Sequence, residues 1–123
     1  MKHLISFNES FRLESIKSDV EEIFYSEVES EAFKIYCGDA WRGELVFTIQ
    51  KEEQSTFTLV KRFKLGELNS FIERLFNWAH ISPCSMVVSY LDRVSFEILK
   101  KKDLPHLADA TVDKLIIRLS VFE

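Results

Sequence analysis

Residues 66–80 constrain this chain more than any other stretch. Leu68, Phe71, Ile72, Leu75, Phe76 and Ala79 fall on one continuous helical stripe, with Glu67, Asn69, Ser70, Glu73, Arg74 and Asn77 opposite. A helix with so apolar a face needs an apolar surface to lie on. Pro83 marks its end, because the residue before a proline, here Ser82, is pushed out of helical geometry.

The flanking segments supply that surface as strands. Phe33, Ile35 and Cys37 alternate with Ala32, Lys34 and Tyr36, and Gly38-Asp39-Ala40 reads as a break. Leu45, Phe47 and Ile49 alternate in the same way, and Phe57 and Leu59 repeat the pattern. The polar run Lys51 to Ser55 between them has the length of a hairpin loop. Beyond the helix, Met86 to Leu91 and Val94 to Leu99 read as strands joined through Asp92-Arg93. The end of the chain is readable as helix or strand; the density of Ile, Val and Phe favours a short turn or helix near 104–110 and a closing strand at 114–122.

The amino-terminal part is simpler. His3 to Phe7 suits a short strand, and Leu13, Ile16, Val20, Ile23 and Phe24 have helix spacing, which predicts a helix within 13–26. Ser18 and Glu21 resemble a capping box, which would start that helix later. The expected fold is α+β: a mostly antiparallel sheet of about five or six strands, the long helix at about 66–80 packed on it, and an N-terminal helix. No repeat, linker or low-complexity run divides residues 1–123, so a single domain is expected. Eleven Phe against three Gly and two Pro fit a filled core rather than a loop-rich scaffold.

Several functions lack their residues. No stretch approaches the about 20 apolar residues of a membrane span, and the first residues do not form a secretory signal. A soluble, cytoplasmic protein is expected, with Cys37 and Cys84 as reduced, buried thiols. His3, His80 and His106 are not spaced with other ligands as a metal site requires, so no metal and no cofactor are expected. No nucleophile elbow or phosphate-cradling glycine loop is present, and no catalytic residue is assigned. A Cys–His pair could arise only by assembly in space. Lys61, Arg62 and Lys64, with Lys100 to Lys102, suit lysines that blunt sheet edges better than a phosphate site.

Charge is uneven. Residues 1–31 hold three basic and eight acidic side chains, net −5, while 32–123 hold thirteen and twelve, net +1. This balance speaks against nucleic acid and anionic membranes as partners and suits a protein with a basic face. The candidate binding residues are Glu14, Asp19, Glu21, Glu22, Glu27 and Glu29, with Trp41 and its neighbour Arg42 as residue types that dominate binding hot spots. Trp41 is equally readable as a lid folded onto the core.

The order of elements, with Trp41-Arg42-Gly43-Glu44-Leu45-Val46-Phe47 and Gly66 to Leu75 as its markers, resembles small immunity proteins of bacterial polymorphic-toxin and contact-dependent inhibition systems over about residues 31–122. The resemblance implies a non-enzymatic cytoplasmic inhibitor that binds one toxin domain and occludes its active site. A basic toxin would then be steered by the carboxylates named above, with Trp41 as an anchor. Two other classes stay open: a small enzyme or ligand-binding domain with a pocket between sheet and helix, and an adaptor that oligomerises through a sheet edge.

Overall fold

The computed structural model describes residues 7–40, 43–82 and 84–120, with the side chains of all of these except 7–11, 39 and 40. The order is α1 (Phe7–Glu27), β1 (Phe33–Ala40), β2 (Glu44–Gln54), β3 (Thr58–Lys61), β4 (Phe63–Lys64), α2 (Asn69–Ile81), β5 (Ser85–Asp92), β6 (Ser95–Leu99), α3 (Leu104–Leu107), β7 (Thr111–Val112) and β8 (Lys114–Ser120). The expected α+β architecture is present. Five strands run β1-β2-β8-β5-β6, every neighbouring pair antiparallel, and β3 adds a sixth by pairing with β2. Strands β4 and β7 form a separate two-stranded ribbon.

Strand β8 sits at the centre because it is apolar on its inward face: Leu115, Ile117 and Leu119 are fully buried. Their partners across the sheet are Ile49, Phe47 and Leu45 of β2 and Tyr90, Val88 and Met86 of β5. Helix α2 covers this face with Phe71, Ile72 and Leu75, and α1 adds Ile16, Val20, Ile23 and Phe24 to the same core. Phe24 meets Phe71 edge-on, ring centroids 5.6 Å apart, which locks the two helices together.

Several boundaries differ from expectation. Helix α1 begins at Phe7, so Ser18 lies in its interior and caps nothing; residues 3–6 of the expected first strand lie outside the described residues. Strand β1 runs through Gly38-Asp39-Ala40, because β2 pairs with it as far as Ala40↔Glu44. The largest difference is at Lys51–Gln54, which is strand and not loop. Lys51 is paired on both sides, to Phe33 of β1 and to Lys61 of β3, so the ladder holds a polar sequence extended. The turn follows at 55–57.

Helix α2 is preceded by a 3-10 turn, Leu65–Leu68, and ends at Ile81 with Ser82 already extended, as a residue before proline should be. Pro83 itself lies outside the described residues. Between β5 and β6 the turn is Arg93-Val94, one residue later than expected, since Asp92 pairs with Ser95. Arg93 takes a positive φ of 60°, costly for a residue with a Cβ. Its N–H is held by the Asp113 carboxylate at 2.5 Å. Asp113 also accepts from Arg62 Nε at 3.1 Å, while Arg62 Nη2 donates to Asp92 and to the Thr111 carbonyl. Arg62 is therefore a brace between three segments and not a blunted edge. Lys61, by contrast, pairs with Glu53 across β2–β3 at 2.7 Å.

Candidate interaction surfaces

The helices lie on one face of the sheet, and the strand registers state what occupies the other. One row crosses all five strands: Tyr36, Thr48, Ile116, Ser89 and Ile98. The next row is Gly38, Val46, Arg118 and Val87, and on the other side Lys114 and Leu91 stand beside Phe96. Phe96 and Ile98 are 63% and 64% exposed and Val87 46%, three large apolar side chains on one face of β5–β6. A depression of about 410 Å³ opens there, with Ile116 and Arg118 also in its wall. Contiguous apolar exposure of this kind marks interaction sites. Periodicity misses it because β5 and β6 carry apolar residues on both faces, and alternation alone does not say which face meets the helices.

At the β1 end of the same face lies a polar group. Glu52 carries a charge into a buried position, with only 7% of its surface exposed. Its Oε2 accepts from the Tyr36 hydroxyl at 2.5 Å and from Gln50 Nε2 at 2.7 Å. These two donors, Tyr36 first, hold its carboxyl below the ordinary value of 4.5 against the cost of burial, and the charge of Lys34 acts in the same direction. The Tyr36 phenol is pushed up, first by that hydrogen bond and then by burial and the carboxylate charge. A buried carboxylate whose Oε2 takes two hydrogen bonds ties β1 to β2 on this face.

Tyr36→Phe should therefore cost about 1 kcal/mol at neutral pH, less than the about 1.5–3 kcal/mol of a hydrogen bond to a charged group because Tyr36 stands half in water. The sign with pH follows from the lowered carboxyl. Its stabilisation is complete above 4.5 and fades as pH falls through the lower folded value, where the native carboxylate too takes up a proton. Urea unfolding from pH 7 to 3 should show the difference between wild type and Y36F shrinking below 4.5. A difference constant over that range would detach the effect from Glu52.

The acidic candidates separate into two groups. Glu14 and Glu22 are exposed and Glu21 half-buried. Helical spacing puts all three on the outer side of α1 with Tyr25, which is 71% exposed. Asp19 and Glu27 face α2 instead: Asp19 accepts from Trp78 Nε1 at 3.2 Å, and Glu27 pairs with Arg74 at 2.8 Å. Glu29 is exposed just beyond the helix end. Trp41 and Arg42 lie outside the described residues.

Cys37 is half-buried on the core side of β1, opposite Phe47. His80 and Cys84 line one depression of about 450 Å³ beside Phe76 and Met86. Burial pushes the Cys84 thiol up, away from the thiolate a nucleophile needs. Among the described residues no group of three His, Cys, Asp or Glu is arranged to hold a metal, and no helix is long and apolar enough to cross a membrane. No protein-family model, no curated protein and no solved structure matches this chain.

Proposed function

We propose that this chain is a non-enzymatic protein-binding domain of the immunity type, which seats a basic toxin domain on its open sheet face and neutralises it by occlusion. The observation that carries the reading is the aligned exposure of Val87, Phe96 and Ile98 beside Ile116 on that face. Leaving such side chains in water is unfavourable by about 25 cal/mol per Å² of apolar area, and a partner recovers it. Tyr36, at the other end of the central row, leads from this face to the side where the outer carboxylates of α1 stand, and these suit a partner of basic character.

Self-association through the edge strand β6 is the competing use of the same residues. A two-fold pairing centred on that strand would set Glu97 against its own copy, which disfavours it. A different protein is the better occupant.

The test compares wild type with a Phe96→Glu/Ile98→Glu variant whose fold is checked by circular dichroism. Both side chains are exposed, so the substitutions leave the core untouched. Wild type, tagged and passed over lysate of its own cells, should retain one stoichiometric protein with a basic domain, and co-expression should suppress that protein's toxicity. The variant should do neither. Recovery of the chain alone, or equal capture and protection by both forms, would overturn the reading.

A further inference from the structure

We propose that the cleft between the end of α1 and edge strand β1 receives a cationic side chain, arginine above all, from the protein partner. The inference deepens the reading above and rests on it for the identity of the donor. The cleft encloses about 420 Å³, and its wall includes Tyr25, Glu29, Glu31, Lys34 and Tyr36 among apolar residues. It lies on the free side of β1, the first strand in the sheet order, and so opens outward.

Four features converge on positive charge. Tyr25 and Tyr36 both line the space, and each is held in place: Tyr25 by an edge-on contact with Phe24 at 5.2 Å, Tyr36 by its hydrogen bond to Glu52. Aromatic faces attract cations, and a planar guanidinium stacks on them as an ammonium does not. Glu29 and Glu31 are exposed at the mouth, and among the described residues neither has an ion-pair partner. Helix α1, 21 residues long, points its carbonyl end here and has no basic residue in its last turn.

The cations already present do not fill the role. Arg74 is turned to Glu27 and Ser26 on the α2 side. Lys34 is itself in the wall and exposed, one positive charge against the two carboxylates Glu29 and Glu31, so the cleft keeps a net negative charge. Two carboxylates against one lysine, a helix carbonyl end and two tyrosines in the wall favour a further cation from outside. Tyr36 also heads the row that crosses the open sheet face, so a protein seated on that face can turn an arginine over the β1 margin into the cleft.

The test needs no partner. The labelled full chain is titrated with N-acetylarginine amide and, in parallel, with N-acetylcitrulline amide, which keeps the shape and lacks the charge. Nuclear magnetic resonance should show saturable shifts of the Tyr25 and Tyr36 rings and of amides 29–36 with arginine and none with citrulline. Glu29→Gln/Glu31→Gln should weaken arginine binding about fivefold, as expected for partly exposed charge pairs. Equal responses to the two probes, shifts spread over Glu14 and Glu21 as well, or an unchanged affinity in the double variant would overturn the assignment. Failure here with intact partner capture removes the cleft alone; arginine binding without any capture removes the protein-binding reading.

Discussion

Phe71→Ala should lower the stability of this protein by about 3–5 kcal/mol, the range for emptying a large aromatic site in a closed core. Phe71 has no exposed surface and sits on α2 against Phe24 of α1. Truncation leaves a void between two helices and a sheet, and none of the three can close on it without losing its other contacts. Ile72 and Leu75 hold α2 to the core, and Val20 and Ile23 hold α1. Domains of this size have only about 5–15 kcal/mol in total, so the variant should be partly unfolded near body temperature. Phe71→Leu, which keeps most of the volume, should cost less than about 1.5 kcal/mol. Urea unfolding followed by circular dichroism checks both. A loss below about 2 kcal/mol for the alanine variant would show that α1 is loosely held and moves in to fill the space.

The role of Phe71 is legible in the sequence because it is written in the residue's own neighbourhood. The stripe Leu68, Phe71, Ile72, Leu75 repeats at helical spacing, and an apolar stripe of that width has one use in water. Strand β1 is legible for the same reason as far as Cys37, alternating around Phe33, which the structure buries, whereas β5 is apolar on both faces and the spacing in β8 suits a helix as well as a strand. What escapes a reading of the sequence depends on partners distant in the chain. Lys51–Gln54 reads as loop by composition and is strand because β1 and β3 pair with it from both sides. Arg62 reads as one of several surface cations and is a brace because Asp92 and Asp113, 30 and 51 residues away, converge on it. The candidate surface divides in the same manner. Glu14 and Glu22 face outward as the helical repeat requires, whereas Asp19 and Glu27 turn inward for Trp78 and Arg74 on a helix that local periodicity does not place beside them. Phe96 and Ile98 carry the same limit in reverse: an apolar alternation marks a strand, and only the register with β5 and β8 assigns the face.

Gly66→Ala tests a place where backbone meets backbone too closely for any side chain. A Cβ at residue 66 would stand 2.8 Å from the Ala108 carbonyl oxygen and 3.3 Å from the Ala108 Cβ. The first contact is the damaging one, because a carbonyl cannot rotate away as a side-chain tip can. That oxygen accepts the Gly66 N–H at 2.9 Å, and one residue earlier Leu65 N–H donates to the Ala110 carbonyl at 3.0 Å. Pushing the 3-10 turn Leu65–Leu68 outward therefore strains both bonds and disturbs Leu65 and Leu68, which are buried at the foot of α2. Overpacking of about 1–3 kcal/mol and the weakening of two hydrogen bonds at about 1 kcal/mol each add to an expected loss of about 3–5 kcal/mol. Ala108→Gly in the same chain removes the 3.3 Å contact and leaves the 2.8 Å one, so it should restore only a minor part. Urea unfolding gives the loss, and hydrogen exchange at Leu65 and Gly66 should quicken first, since those amides carry the contact. A loss within about 0.5 kcal/mol of zero, with both amides still protected, would mean that the segment around Ala108 yields freely and that the close approach sets nothing in this fold.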